Sequence, residues 1–280
     1  MALKDILVVV DEAGKPEQPI QAAIDLARAS GAHLTGLYVA VEASWPLYAY
    51  GPVPRETIDL LQARADAAAA KAKETFTAVV SKSDLSIDFR TEVAPSAVAQ
   101  DTIAVHARHA DLVVIGQSDP DRERPAGNEL PEEVIFQCGR PVLVVPYVGL
   151  QKPFGRRVMV GWDGSREAVR ALNDALPILQ KAEKVVVIVV NPKPGSARHG
   201  QVPGADIALH LARHGVHVEV AEEDAKGVTP DQVILSRVAD MDIDLLVLGA
   251  YGTPRLQERM FGGVTRTIMQ SMTVPVLFSH

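Results

Sequence analysis

Short runs of consecutive apolar residues alternate along the chain with longer segments in which apolar and polar residues follow helical spacing. Runs such as Asp5–Val10 and Asp111–Ile115 are typical of strands that are buried on both faces. Pro16–Ser30, which is followed by Gly31, and the alanine-rich Arg55–Val80 have the helical spacing. This alternation predicts an α/β fold in which helices cover both faces of a parallel sheet.

The same patterns predict the remaining elements of the first half of the chain. Further strands are predicted at His33–Val41, Ser86–Val93 and Pro141–Val145, and a further helix at Ser96–Arg108. A loop runs from Gly116 to about Asn128 and leads into a short helix. The predicted unit therefore has five strands connected by helices.

Three segments of the second half repeat segments of the first half in the same order. The matching pairs are Arg157–Trp162 with Leu7–Asp11, Asp244–Gly249 with Asp111–Gly116, and Val274–Phe278 with Arg140–Val144. This order predicts duplication of a whole domain rather than a short-period solenoid. We expect doubly wound domains at residues 1–147 and 156–280, joined by the proline- and glycine-containing segment between them.

Composition excludes several classes of function. The formal net charge is −7 and the pI is about 5.6, which does not match the basic footprint of a nucleic-acid-binding protein. The apolar runs are shorter than the roughly 20 residues that a membrane-spanning helix needs. The single cysteine, Cys138, cannot form an intramolecular disulfide, and the N-terminus has no signal-peptide pattern. We therefore expect a cytoplasmic protein that binds neither nucleic acid nor membrane.

A glycine-framed loop follows the fourth predicted strand of the second half. It begins with Gly249 and Gly252, continues through the nine residues 253–261, and ends with Gly262 and Gly263 at the start of a helix. Glycines allow the backbone to approach a ligand closely, and amides at a helix N-terminus bind phosphate. Thr265 adds a hydroxyl donor. The pattern indicates a phosphate-binding loop.

The position of this loop in the predicted sheet also favours a ligand site. Open parallel sheets bind ligands beyond the carboxyl ends of their strands, where the strand order changes direction. The first and fourth strands can lie side by side at that point, which would bring Asp163 near Gly249–Gly252. Asp163 has an alternative role, because an aspartate in Asp-Gly-Ser-Arg-Glu can cap the helix that follows.

The loop and the repeated strands resemble the universal stress protein family, and the resemblance covers nearly the whole chain as two fused domains. It implies two five-stranded domains of the adenine nucleotide alpha hydrolase-like type, with ATP or ADP, with or without magnesium, in the second. Gly263 stands where the family has serine or threonine. The implied nucleotide-binding residues are Gly161, Asp163, Val190, Leu248, Gly249, Gly252, Gly262, Gly263, Val264 and Thr265.

The first half departs from the family pattern at its loop. Asp119, Asp121 and Glu129 place carboxylates where a phosphate would lie, so we expect this half to bind no ATP. The resemblance also implies pairing through the last strand of each half, with Pro141–Val145 meeting Pro275–Phe278. The chain would then be an intramolecular pseudo-dimer, and a homodimer of such chains is the further alternative.

Three hypotheses for function follow. The first is a nucleotide-binding regulatory protein of the stress response, whose nucleotide-bound form is read by an unidentified protein partner. The second is an enzyme, a slow ATP hydrolase or a nucleotidyl-transfer enzyme, which the absence of a P-loop lysine pattern disfavours. The third is a pseudo-dimeric scaffold that binds no nucleotide.

Overall fold

A computed structural model describes residues 2–11, 15–42, 54–150, 152–192, 195, 201–250 and 263–280. The described residues form two compact units, one built from residues 3–138 and the other from residue 2 together with residues 139–280. No helix within the described ranges is long and apolar enough to cross a membrane.

The first unit is a parallel sheet with strand order β3-β2-β1-β4. Helices α1 and α2 pack against each other, and α3 and α4 form a second contacting pair. The elements are β1 (Asp5–Val9), α1 (Glu17–Ser30), β2 (His33–Glu42), α2 (Arg55–Val80), β3 (Ile87–Pro95), a 3₁₀ turn (Ser96–Val98), α3 (Ala99–Ala107), β4 (Leu112–Gly116) and α4 (Leu130–Gln137).

The second unit repeats this plan and adds one strand from the first repeat. Its strand order is β5-β10-β9-β6-β7-β8, in which all neighbours are parallel except β5 and β10. The elements are β5 (Val142–Val145), β6 (Arg157–Gly161), α5 (Arg166–Leu179), β7 (Lys184–Val190), α6 (Ala205–Arg213), β8 (Val218–Glu223), α7 (Pro230–Asp240), β9 (Leu245–Gly249), α8 (Val264–Ser271) and β10 (Val276–Ser279).

The predicted pairing of the two last strands is confirmed. Strands β5 and β10 are antiparallel, with Val144 opposite Val276 and Val142 opposite Phe278. All four residues of β5 and all four of β10 are buried, so the pairing satisfies backbone groups that have no access to water. The pairing of first with fourth strands is confirmed in both repeats, as β1 with β4 and β6 with β9.

An aspartate before the fourth strand anchors the first strand in each repeat. The Asp111 carboxylate accepts hydrogen bonds from the backbone amides of Lys4 and Asp5, at 2.7 and 3.1 Å. The Asp244 carboxylate accepts them from Gly155 and Arg157, at 2.7 and 3.1 Å. Burial raises the pKa of Asp244, and these amide donors partly offset that effect. The shared device fixes the relative position of the two strands whose opposite ends form the candidate site.

Candidate functional site

The carboxyl ends of β6 and β9 bring together three residues that the sequence predicted for one crevice. Val160 pairs with Val247, which places Gly161 and Leu248 at the same level of the sheet. A Cβ atom built on Gly161 would clash with Leu248 Cδ2, so a larger residue here would require the leucine side chain to shift. Gly249, which ends β9, comes next along the same edge. This edge is the switch point of the second unit, since β7 lies on one side of β6 and β9 on the other.

Gly249 has a packing role in addition to its predicted role in the phosphate-binding loop. A Cβ atom at this position would lie 2.5 Å from the backbone nitrogen of Ala168 and 2.5 Å from the carbonyl carbon of Glu167. The first turn of α5 therefore rests directly on the end of β9. Because both clashing atoms belong to the backbone, they cannot move aside as a side chain would. The glycine brings the start of a helix to the carboxyl edge of the sheet.

Asp163 lies in the turn between β6 and α5 and is exposed. Its Oδ1 atom accepts a hydrogen bond of 2.9 Å from the backbone amide of Ser165. Ser165, not Asp163, is the N-cap of α5, because its Oγ accepts a hydrogen bond from the backbone amide of Ala168. Gly164 has a φ of 70°, a left-handed conformation that favours glycine and turns the chain between these two residues. The carboxylate is thus held near the helix start while remaining accessible to a ligand.

Val190 ends the neighbouring strand β7 and is half-buried. The residue after it, Asn191, has a φ of 52°. The Asn191 amide donates to the Glu223 carbonyl at 2.8 Å, and its side-chain oxygen accepts from the Ala225 amide at 2.9 Å. These bonds fix the end of β7 against the end of β8.

The start of α8 contributes the remaining described residues of the predicted loop. Gly263 is the N-cap of this helix and has φ −52° and ψ 151°, a conformation open to any residue. Val264 is half-buried, whereas Thr265 is only 4% exposed and shares the buried face of α8 with Ile268 and Met269. Helix α8 packs against α7. Gly252 and Gly262, the other predicted loop glycines, lie outside the described residues.

The equivalent edge of the first unit holds an arginine that sequence analysis missed. The Arg124 Nη2 atom lies 3.0 Å from Asp11 Oδ2 and donates a hydrogen bond of 2.9 Å to the Gly116 carbonyl. Asp11 and Gly116 are the counterparts of Asp163 and Gly249 in the repeat. The Arg124 side chain is 1% exposed. Burial lowers the pKa of the Arg124 guanidinium, and the charge of Asp11 acts in the opposite direction.

The rest of the first loop is folded onto itself. Ser118 Oγ donates to the Asn128 carbonyl at 2.6 Å, and the Arg124 amide donates to Asn128 Oδ1 at 3.0 Å. The Asp119 carboxylate accepts a hydrogen bond from the backbone amide of Asp121, and its Oδ2 atom lies 3.7 Å from Arg122 Nε. The loop that carries the acidic side chains expected to repel phosphate also carries Arg124, whose guanidinium bridges the ends of β1 and β4.

A model of the universal stress protein family matches the chain twice, at residues 2–146 and 155–280. No curated protein matches the sequence. A universal stress protein from Archaeoglobus fulgidus DSM 4304 is similar in structure, with a TM-score of 0.70, 16% identity, and coverage of 98% of this chain and 95% of that one.

Two further solved structures extend the comparison. A functionally unknown protein from Pseudomonas aeruginosa PAO1 has a TM-score of 0.56 at 15% identity, with coverage of 99% of this chain and 92% of that one. A universal stress protein solved in complex with cAMP has a TM-score of 0.35 at 19% identity, over 45% of this chain and 97% of that one. At 16% and 15% identity, the likenesses to the Archaeoglobus fulgidus and Pseudomonas aeruginosa structures show the fold alone. The two family matches, which together span most of the sequence, show that this chain belongs to the universal stress protein family and carries its domain twice in tandem.

Proposed function

We propose that the second domain binds one adenine nucleotide, ATP or ADP, and that the nucleotide-bound form is recognised by a partner protein in a stress response. The observation that carries this proposal is the edge formed by β6 and β9. There the exposed Asp163 carboxylate, the half-buried Gly161 and Gly249, and the start of α5 adjoin one another. The glycine-framed sequence that follows Gly249 supplies the phosphate-binding pattern.

The contrast between the two domains supports a single site per chain. In the first domain, Arg124 bridges Asp11 and the Gly116 carbonyl, at the place that corresponds to Asp163 and Gly249. A nucleoside in that crevice would have to displace a buried ion pair. Breaking such a pair by removing one partner costs about 3–5 kcal/mol, so the first domain is a poor nucleotide site.

Gly263 provides a direct test of the phosphate contact. Its backbone conformation accepts serine, and serine is a favoured N-cap residue. We expect Gly263→Ser to bind ATP at least about tenfold more tightly, because a hydrogen bond to a charged acceptor contributes about 1.5–3 kcal/mol. We expect Gly262→Glu to abolish binding, because a carboxylate would replace the anion-binding amide surface. The measurement is calorimetric titration of ATP into nucleotide-free protein.

The control is Asp121→Asn, which changes one charge in the loop of the first domain and should leave the Kd for ATP unchanged. Equal affinities of the wild type and Gly262→Glu for ATP would contradict the assignment of the nucleotide site to the second domain. Steady turnover of saturating ATP by the wild type would instead support the enzyme hypothesis.

A further inference from the structure

The first domain contains a buried cation whose hydrogen-bonding capacity is only partly used. Nη2 of Arg124 is engaged by Asp11 and by the Gly116 carbonyl. Among the described residues, Nε and Nη1 of the same guanidinium have no hydrogen-bond acceptor. Buried polar groups in folded proteins are generally paired, and an arginine presents all of its nitrogens as donors. The unused donors therefore indicate a position where an acceptor from outside the chain can bind.

Arg124 lines a small cavity whose other walls are mainly apolar. The cavity measures about 30 Å³ and lies at the carboxyl ends of β1 and β2, with α3 and α4 contributing to its wall. Its lining includes Val9, Val39, Ile103 and Leu130 together with Arg124. The space beside the guanidinium is thus large enough for a small acceptor group. The Asp11 carboxylate also lines this space, but it already engages Nη2.

A wider groove adjoins this cavity and shares the lining residues Tyr38, Val41 and Pro125 with it. The groove measures about 520 Å³, within the range of small-molecule sites. Two of its lining residues, Ile58 on α2 and Val93 on β3, are apolar side chains that are 49% and 56% exposed. An apolar body that lay in the groove would cover both of them.

We propose that the first domain binds a small monocarboxylate with an apolar body, whose carboxylate accepts hydrogen bonds from Arg124 and whose body lies in the adjoining groove. A carboxylate is a charged acceptor, and its hydrogen bonds with a guanidinium are stronger than those of a neutral acceptor. The ligand class differs from the nucleotide proposed for the second domain, and the two proposals stand on different residues.

The charge balance of the crevice limits the negative charge that a ligand can carry. Arg124 already shares its charge with Asp11, so a monocarboxylate brings the group of three to a net charge of −1. A nucleoside triphosphate would bring several more negative charges next to Asp119 and Asp11. The charge balance thus disfavours phosphate chains more strongly than a single carboxylate.

Hexanoate is the probe for the test, and its neutral isostere hexanamide is the matched control ligand. Both are titrated into the full chain in the presence of saturating ATP and again into Gly262→Glu, so that binding in the second domain does not contribute to the measured affinity. We expect one hexanoate per chain with at least about tenfold weaker binding of hexanamide. Amide chemical-shift changes are expected at Val9, Val39 and Val41, which line the cavities.

The matched variants are Arg124→Gln and Arg122→Gln, one buried and one 60% exposed in the same loop. Arg124→Gln should weaken hexanoate binding at least about tenfold, and Arg122→Gln should leave it unchanged. Arg124→Lys keeps the charge and replaces Arg124→Gln as the test variant if the glutamine variant does not fold. Equal binding of hexanoate and hexanamide to the wild type, shift changes confined to the second domain, or no binding would each overturn the proposal, whatever the outcome for ATP.

Discussion

Replacing Gly249 with alanine lowers the free energy of unfolding by about 1–3 kcal/mol, the usual cost of inserting a methyl group into a packed site. The added Cβ would lie 2.5 Å from two backbone atoms of the first turn of α5, at Glu167 and Ala168. Helix α5 contacts β9 and β10 along its length, so it cannot shift away without loosening the core of the second domain. Urea unfolding followed by circular dichroism measures this effect.

Gly116 is the matched control because it occupies the same position in the first repeat. A Cβ atom there would lie 3.9 Å from Arg124 Nη2, an ordinary contact, and 3.3 Å from Pro19 Cγ, which requires a shift of only a few tenths of an ångström. We expect Gly116→Ala to cost about 1 kcal/mol or less. If the two variants lost equal stability, the packing of α5 on Gly249 would not be the reason for glycine at this position.

Replacing Arg124 with alanine is expected to destabilise the first domain by about 3 kcal/mol. Removing one partner of a buried ion pair costs about 3–5 kcal/mol, and the lower end applies because Asp11 is 18% exposed. The substitution also deprives the Gly116 carbonyl of its donor. The exposed Arg122 lies two residues away, and Arg122→Ala should cost under about 1 kcal/mol because its ion pair with Asp119 is solvated.

A double variant distinguishes the ion pair from the loss of side-chain packing. Adding Asp11→Asn to Arg124→Ala removes the carboxylate that the single variant leaves without its guanidinium partner. We expect the double variant to recover part of the lost stability in the same urea experiment. A double variant as unstable as the sum of the two single variants would show that the charges do not interact.

The fold was predictable because buried parallel strands leave an unusually clear sequence pattern. Predicted and observed strands agree closely, as in Asp5–Val10 against Asp5–Val9 and Asp244–Gly249 against Leu245–Gly249. The predicted helix Ser96–Arg108 was less accurate, since its first turn is a 3₁₀ turn and the α-helix covers Ala99–Ala107. Helix ends depend on hydrogen bonds between neighbouring residues that apolar periodicity does not report.

The candidate site was only partly predictable. Sequence position indicated that Gly161, Leu248 and Gly249 lie at one edge of the sheet. It did not indicate that Gly249 accommodates the first turn of α5, because that packing depends on contacts with residues about 80 positions earlier in the chain. The inward position of Thr265 was accessible in principle, because Thr265, Ile268 and Met269 have the spacing of one helix face.

Arg124 shows the limit of local patterns. It lies in Asp-Pro-Asp-Arg-Glu-Arg-Pro, a charged segment that sequence reasoning assigns to an exposed loop. Its burial depends on Asp11, more than a hundred residues earlier, and on the carbonyl of Gly116 at the end of β4. Only the paired strands β1 and β4 bring these groups together.

The most direct test of the central claim is the nucleotide content of the protein itself. Freshly purified protein is denatured, and the released small molecules are identified by chromatography and mass spectrometry, with ATP added to the nucleotide-free chain as the companion titration. We predict one adenine nucleotide per chain, or one ATP bound on titration, with none for Gly262→Glu. Two nucleotides per chain, or neither released nucleotide nor ATP binding, would contradict a single nucleotide site in the second domain.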